Sequence, residues 1–342
     1  MPAKRILVTG AAGFIGGALT ARLLAAGHEV LAFDRRRPNH PQRDNLRVVV
    51  GDVLDLAELQ AASVGCDAIV HLAAVVQTHG RRELFERVNV GGTRTVALAA
   101  RAVGAKRLLF MSSIAVLDYR RGYFESDETC ATGGRLTEYG RSKLEGERIV
   151  QAFNAGTLST TIVRPGLLPF GRDDRAGTTQ LLRSVRRREP LLVGGGNVRL
   201  STSYIDNLVS GLLLCLDAPA AAGELFNLTD AGAPTWRQLV GEIAALLEQP
   251  ANLGSTPRWL ATGAATLVEW AWRLARRSSP PPLSRYAVNV ATSDLHFSHQ
   301  KATRLLGYRP AVDRGVALAT SVAWFLAEER ANLALVAPLR GH

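Results

Sequence analysis

Tyr139 and Lys143 stand four residues apart in Tyr139-Gly-Arg-Ser-Lys143, a stretch that reads as helix. Residues i and i+4 share a helix face, so a phenol and an ammonium meet there. A free phenol has a pKa of about 10 and is a poor base near neutrality, whereas a nearby cation favours the phenolate. Bringing that value to about 7 takes roughly 4 kcal/mol, which calls for a second positive centre beside the lysine. An oxidised nicotinamide ring is such a centre. The spacing alone is common on exposed helices, so the pair acquires chemical meaning only with a dinucleotide site upstream.

The elements that would position the pair begin at residue 4. Lys4–Thr9 is a short apolar run with β-branched residues, bounded by glycine, and reads as a buried strand. Gly10-Ala11-Ala12-Gly13-Phe14-Ile15-Gly16 follows, then an apolar helical pattern to Ala26 with Gly27 closing it. In such a unit Gly10 permits the tight turn, Gly13 lets backbone approach a pyrophosphate, and Gly16 lets helix pack on strand. The free N–H groups of the helix start, at Phe14 and Ile15, would hold the pyrophosphate. A second strand, Glu29–Asp34, ends in an acid that would bind the adenosine ribose and repel a 2′-phosphate, favouring NAD over NADP. Arg35, Arg36 and Arg37 pull the other way, and Asp34 is given the greater weight.

Val48–Val53 reads as a strand ending in an acid, Asp52, and Ala68–Ala74 as a strand running into the small residues Ala73 and Ala74. His71, near its end, reads as a satisfied core histidine rather than a catalytic one. Asn89 opens the stretch Asn89-Val90-Gly91-Gly92-Thr93, which reads as part of the next helix. The run Arg107–Met111 ends in Ser112-Ser113, hydroxyls that a central strand would aim into the ligand crevice. Strands alternating with helices predict an α/β fold, a doubly wound parallel sheet of Rossmann type. It is expected over residues 1–165, with a smaller substrate lobe over 166–335, some segments of which return to the first domain, and a tail at 336–342.

In this order the motifs resemble the extended branch of the short-chain dehydrogenase/reductases. The likeness continues through Arg164-Pro165-Gly166 and Ser203-Tyr204-Ile205-Asp206-Asn207-Leu208, nearly the whole chain. The resemblance implies that Tyr139 is a general acid/base, that Lys143 lowers its pKa and holds the nicotinamide ribose, and that Ser113, rather than Ser112, steadies the substrate oxygen. It implies cofactor contact by Gly10, Gly13, Phe14, Ile15, Gly16, Asp34, Arg35, Asp52, Val53, Leu72, Ala73, Ala74, Asn89, Tyr139, Lys143 and Pro165. Substrate contact falls to Val76, Ile114, Gly166, Leu167 and Thr202.

Departures from the family patterns narrow the reaction. Dehydratases of this branch carry an acidic pair where Ile114 and Ala115 stand, and sugar-nucleotide epimerases carry an arginine where Thr202 stands. The C-terminal region, from Pro280-Pro281-Pro282-Leu283-Ser284-Arg285-Tyr286 to Gly307-Tyr308-Arg309-Pro310, resembles the 3β-hydroxysteroid dehydrogenase group, which includes sterol-4-carboxylate 3-dehydrogenases. The expected activity is therefore NAD-dependent interconversion of a secondary alcohol and ketone. The substrate would be bulky and hydrophobic, steroid-like or a long-chain β-hydroxy/β-keto acid. A sugar-nucleotide epimerase is the alternative, and a non-catalytic NAD(P) sensor, which the intact Ser113, Tyr139 and Lys143 oppose, is the second.

Residues 258–277 are rich in tryptophan and leucine and flanked by Arg258, Arg273, Arg276 and Arg277. A spanning helix is not expected, because the uncharged stretch is short and Glu269 interrupts it. A lid or packed helix near the pocket is the first reading, ahead of peripheral membrane contact and a subunit contact. The family implies a homodimer. The net charge of +11 rests almost wholly on arginine, since only Lys4, Lys106, Lys143 and Lys301 are lysines, and its spread along the chain predicts a solvated surface and no nucleic-acid partner. Three scattered cysteines, Cys66, Cys130 and Cys215, suggest a reducing compartment and no metal site. Lys4-Arg5 lead straight into the first strand, so a cytoplasmic enzyme without a signal peptide is expected.

Overall fold

A computed structural model describes residues 2–77, 79–189, 192–250, 254–275 and 281–336, with side chains described to 332. Arg276, Arg277, Pro280 and the tail beyond 336 lie outside the described residues. Seven strands make one parallel sheet: β1 (Arg5–Thr9), β2 (Glu29–Asp34), β3 (Leu46–Val50), β4 (Ala68–His71), β5 (Arg107–Met111), β6 (Ser159–Pro165) and β7 (Leu225–Leu228). Their spatial order is β3-β2-β1-β4-β5-β6-β7, so the chain reverses direction across the sheet between β1 and β4. In open α/β sheets that reversal opens the ligand crevice at the carboxyl ends of the strands.

The strands are buried on both faces, as a doubly covered sheet requires. Ile6, Val8, Val30, Val70 and Leu109 pack to one side, with α1 (Phe14–Ala25). Leu7, Leu31, Ile69, Leu108 and Phe110 pack to the other, with α2 (Leu56–Ser63), α3 (Gly92–Ala102) and α4 (Glu138–Ala152). Helix α5 (Ile205–Asp217) lies beside α1. Strand β7 comes from well past residue 166 yet pairs in register with Ile162–Pro165 of β6, so the sheet draws on both halves of the chain.

Two local expectations change. Strand β3 ends at Val50, so Asp52 sits in the following turn and not on a strand. Gly51 N–H donates to the Asp34 carbonyl at 3.0 Å, and the Asp52 carboxylate accepts from Leu54 N–H at 3.1 Å; that side-chain turn ends the ladder. Strand β4 likewise stops at His71, leaving Leu72, Ala73 and Ala74 as a loop. Asn89 lies in helical backbone, as expected, inside a π-helical turn, Glu86–Gly91, immediately before α3.

Beyond β6, the buried carboxylate of Asp230 ties several segments together. It accepts from Thr202 Oγ1 at 2.8 Å, from Tyr204 N–H, and from Asn207 Nδ2 at 2.8 Å. Helices α6 (Arg258–Leu274) and α7 (Arg285–Thr292) pack together through Ala261, Ala265 and Val288. Glu269 fastens them by accepting from both the backbone N–H and the Nε of Arg285 at 2.8 Å. The outer face of α6 leaves Trp259 76 % and Trp270 65 % exposed. No described helix is long and apolar enough to cross a membrane.

Candidate active site

Helix α4 starts at a Thr137 cap whose side chain accepts from Gly140 N–H at 3.0 Å. Its first turn presses on the loop after β5. A Cβ on Gly140 would stand 2.1 Å from the Ala115 carbonyl oxygen, so only glycine permits this approach. The contact carries Tyr139 to the end of β5, where the Ser113 hydroxyl is its polar neighbour and favours the phenolate. Ser113 caps the short turn Ile114–Val116, accepting from Ala115 N–H at 3.1 Å. Ser112 is engaged elsewhere: its hydroxyl donates to Glu147 at 2.5 Å. Of the two serines, Ser113 therefore faces the phenol.

Lys143 behaves differently from the expectation. Its Nζ donates to the Met111 carbonyl at 2.7 Å and lies 6.0 Å from the centre of the Tyr139 ring. Burial pushes the lysine down to about 7, with Glu147 opposing that fall. Burial also pushes the phenol up to about 12, and Tyr286 adds to the rise. The lysine alone does not make Tyr139 a base here, because desolvation outweighs the distant charge. Glu147 is itself held by Arg164, with Nε and Nη2 donating at 2.7 and 2.6 Å inside the protein.

The glycine loop has the shape the pyrophosphate reading requires. Gly10 has φ +76°, and a Cβ there would meet Ala73 N at 2.7 Å. A Cβ on Gly16 would fall 2.1 Å from the Gly10 carbonyl oxygen. Helix α1 has no side-chain cap, so the N–H groups of its first turn, from Phe14 and Ile15, remain available to an anion. Asp34 accepts from Ala12 N–H at 3.1 Å and from Arg36 N–H at 2.9 Å, which fixes its carboxylate at the tip of β2. Arg35 is exposed and reaches towards Asp52 at 3.9 Å. Val53 is buried beside Gly92. This cradle fits a dinucleotide.

Other anticipated residues are placed as follows. His71 bridges Thr9 and Thr93 at 2.8 and 3.1 Å and stacks on Phe110, with burial lowering it to about 3. Asn89 accepts from Val75 N–H at 2.8 Å and donates to Val75 O and to Ser142 Oγ, whose hydroxyl caps the Tyr139 carbonyl. Its side chain ties the loop after β4 to α4. Pro165 and Gly166 are buried at the end of β6, and Gly166 N–H donates to Ser203 Oγ. Ile114 is buried and Leu167 half-buried beside it. Val76 is 70 % exposed and does not line the cavity described next. Thr202 is buried and committed to Asp230, so its hydroxyl is not offered to a substrate.

A cavity of about 790 Å³ opens beside the site, between the loop after β5 and helices α6 and α7. Ala115, Leu117 and Tyr119 form one wall, and Thr262, Trp272 and Tyr286 another. Helix α6 is thus a wall of this cavity, in keeping with the first reading of residues 258–277. The rings of Tyr119 and Tyr286 lie 5.7 Å apart. Sequence reasoning passed over Tyr119, and the only signal for it was the Asp118 turn that precedes it. It also passed over the Glu147–Arg164 pair, whose members meet through the fold alone.

The model of the NAD dependent epimerase/dehydratase family matches residues 6–229. The 4-hydroxy-2-methyl-3-oxo-4-farnesyl-3,4-dihydroquinoline-1-oxide ketoreductase of Stigmatella aurantiaca is 32 % identical, covering 89 % of this chain and 91 % of its own length. The 3 beta-hydroxysteroid dehydrogenase/Delta 5-->4-isomerase of Mycobacterium tuberculosis is 32 % identical over 90 % of this chain and 86 % of its own. Among solved structures, the epimerase Mth375 of Methanothermobacter thermautotrophicus superposes with TM-score 0.76 at 25 % identity, covering 96 % of this chain and 94 % of that one.

Proposed function

The chain belongs to the NAD dependent epimerase/dehydratase family and is an NAD-dependent oxidoreductase acting on a CH–OH group, and from that premise we propose that it interconverts a secondary alcohol and its ketone on a bulky hydrophobic substrate. The observation that carries the reading is the convergence of Ser113 and Tyr139 at the end of β5, beside a 790 Å³ cavity with Ala115, Leu117 and Trp272 in its walls. The similarity to a ketoreductase of a farnesylated quinoline oxide and to a hydroxysteroid dehydrogenase supports the hydrophobic substrate.

When bound, NAD supplies the hydride acceptor or, reduced, the hydride donor. The N–H groups at the start of α1 would hold its pyrophosphate and Asp34 its adenosine ribose. Ser113 steadies the substrate oxygen, and Tyr139 gives a proton to the forming alkoxide or takes one from the alcohol. In the buried, neutral state the phenol is a proton donor. Acting as a base requires a cation nearby in addition to Lys143.

A spectrophotometric screen for NAD⁺ reduction and NADH oxidation over steroid, long-chain β-hydroxy/β-keto and UDP-sugar panels tests the reading. Turnover of a hydrophobic alcohol or ketone supports it. Epimerisation of a UDP-sugar without net NADH release would replace it with the epimerase reading, which Thr202 at the diphosphate position opposes. Trp259 and Trp270 stand exposed on α6, and contact of that face with a membrane surface or a second copy is a separate question for experiment. Vesicle co-sedimentation and analytical ultracentrifugation separate those two.

A further inference from the structure

Among the described residues, five arginines line the cavity: Arg81, Arg120, Arg135, Arg273 and Arg285. Two carboxylates among the described residues share it, and both are engaged. Asp118 is held by the Arg120 guanidinium, with Nε at 2.8 Å, and its pKa is driven well below the usual carboxylate range. Glu269 is held by Arg285. Arg81, Arg135 and Arg273 are exposed, and their guanidinium groups have no hydrogen-bond or ion-pair partner among the described residues. They come from three separate segments: the turn before Arg82–Phe85, the loop before α4, and the last turn of α6.

Solvated arginines are ordinary on this surface, but convergence of three on one opening has a consequence. Like charges raise the potential at a cleft mouth, and low-dielectric walls focus it. The inner wall carries the buried Ala115, Leu117 and Tyr119, and the buried charge between them, Asp118, is neutralised by Arg120. The cavity is therefore mainly apolar within, with its unpaired charge, all cationic, on exposed side chains. We propose that it selects substrates carrying an anionic group, a carboxylate or a phosphate, which Arg81, Arg135 and Arg273 hold at the mouth while the apolar body lies within. The proposal rests on the reading above that this cavity receives the substrate. It makes a neutral alcohol of equal size the poorer ligand.

The test is calorimetric titration of the full-length protein saturated with NAD⁺, which occupies the glycine-loop anion site. The probes are decanoate, decyl phosphate and decan-1-ol at low ionic strength. At least one anion is expected to bind tenfold or more tightly than decan-1-ol, and the advantage should shrink with added salt. Decanoate ahead of decyl phosphate identifies a carboxylate, and the reverse a phosphate. The triple variant Arg81→Gln/Arg135→Gln/Arg273→Gln should bind all three probes alike. Each single variant should lose at least twofold of the anion preference and keep its alcohol binding, which covers a triple variant that folds poorly. Equal binding of decan-1-ol and both anions by the unaltered protein overturns the proposal, as does an undiminished preference in the variants. Failure of the dehydrogenase reading shows separately, as no NADH from any secondary alcohol while anion binding persists.

Discussion

The Lys143 ammonium donates to the backbone carbonyl of Met111 at 2.7 Å, tying the helix that carries the phenol to the strand that delivers Ser113. Burial lowers this lysine from 10.5 to about 7. Between those values the unfolded chain holds a proton that the folded chain has released, so stability rises with pH across the window. Compared with Lys143→Met, which lacks the group, the unaltered protein should gain stability from about pH 7 to about pH 10, by up to roughly 4 kcal/mol. Urea midpoints of both proteins over that range check this. A pH-independent difference would mean that the lysine titrates at its ordinary value.

The Tyr139 phenol sits near 12 without a cofactor. Titration at 295 nm, taken as the difference between the unaltered protein and Tyr139→Phe, should show no phenolate from this residue below pH 10. Saturating NAD⁺ should move its titration down by several units, because a second cation then faces the phenol. The same substitution should lower turnover by roughly 10²- to 10⁴-fold, the usual size of a general acid/base contribution, while NAD⁺ still binds. Turnover near that of the unaltered protein would remove Tyr139 from the chemistry.

Asp34 is fixed by two backbone N–H groups at the tip of β2. Asp34→Ala should weaken NAD⁺ binding about tenfold and raise the ratio of kcat/KM for NADP⁺ over NAD⁺, helped by Arg35 and its neighbours. Steady-state kinetics with both cofactors measure the ratio. An unchanged ratio would show that the ribose is read elsewhere.

Glu147 and Arg164 form a buried pair, 4 % and 3 % exposed. Glu147→Gln leaves the guanidinium without its counter-charge, which typically costs 3–5 kcal/mol. A fall in the urea midpoint of that size is expected. Ser112→Ala, which removes one hydrogen bond to the same carboxylate, should cost about 1 kcal/mol. A loss below 1 kcal/mol in Glu147→Gln would mean that the pair is hydrated.

The parts of this molecule that can be read from the chain are those that local chemistry dictates. The runs at Arg5–Thr9 and Arg107–Met111 are β-branched or apolar, and glycine or serine follows each, so strand and turn declare themselves. Gly10 and Gly16 declare a close backbone approach because no other residue fits. The end of β3 was misplaced because Asp52 turns the chain with its own side chain, which an apolar pattern does not register. The commitment of Thr202 is not legible in the chain, because its partner, Asp230, lies 28 positions away and meets it only in the folded protein. The wall residue Tyr119 is illegible for the same reason: it meets Tyr286 only in the folded protein, and the two share no local pattern.

The contact of Gly140 with the Ala115 carbonyl has a further consequence. Two main chains that touch form a hard stop, and neither can be repacked by exchanging a side chain. The serine and the phenol are therefore gauged against each other by backbone, while the cavity walls on α6 and α7 are side chains on separate helices. On the proposed reading, reaction geometry and substrate fit are held by different parts of the molecule. Directed evolution aimed at residues such as Thr262 and Trp272 is then expected to redraw the substrate range and leave the proton-transfer distance where it is.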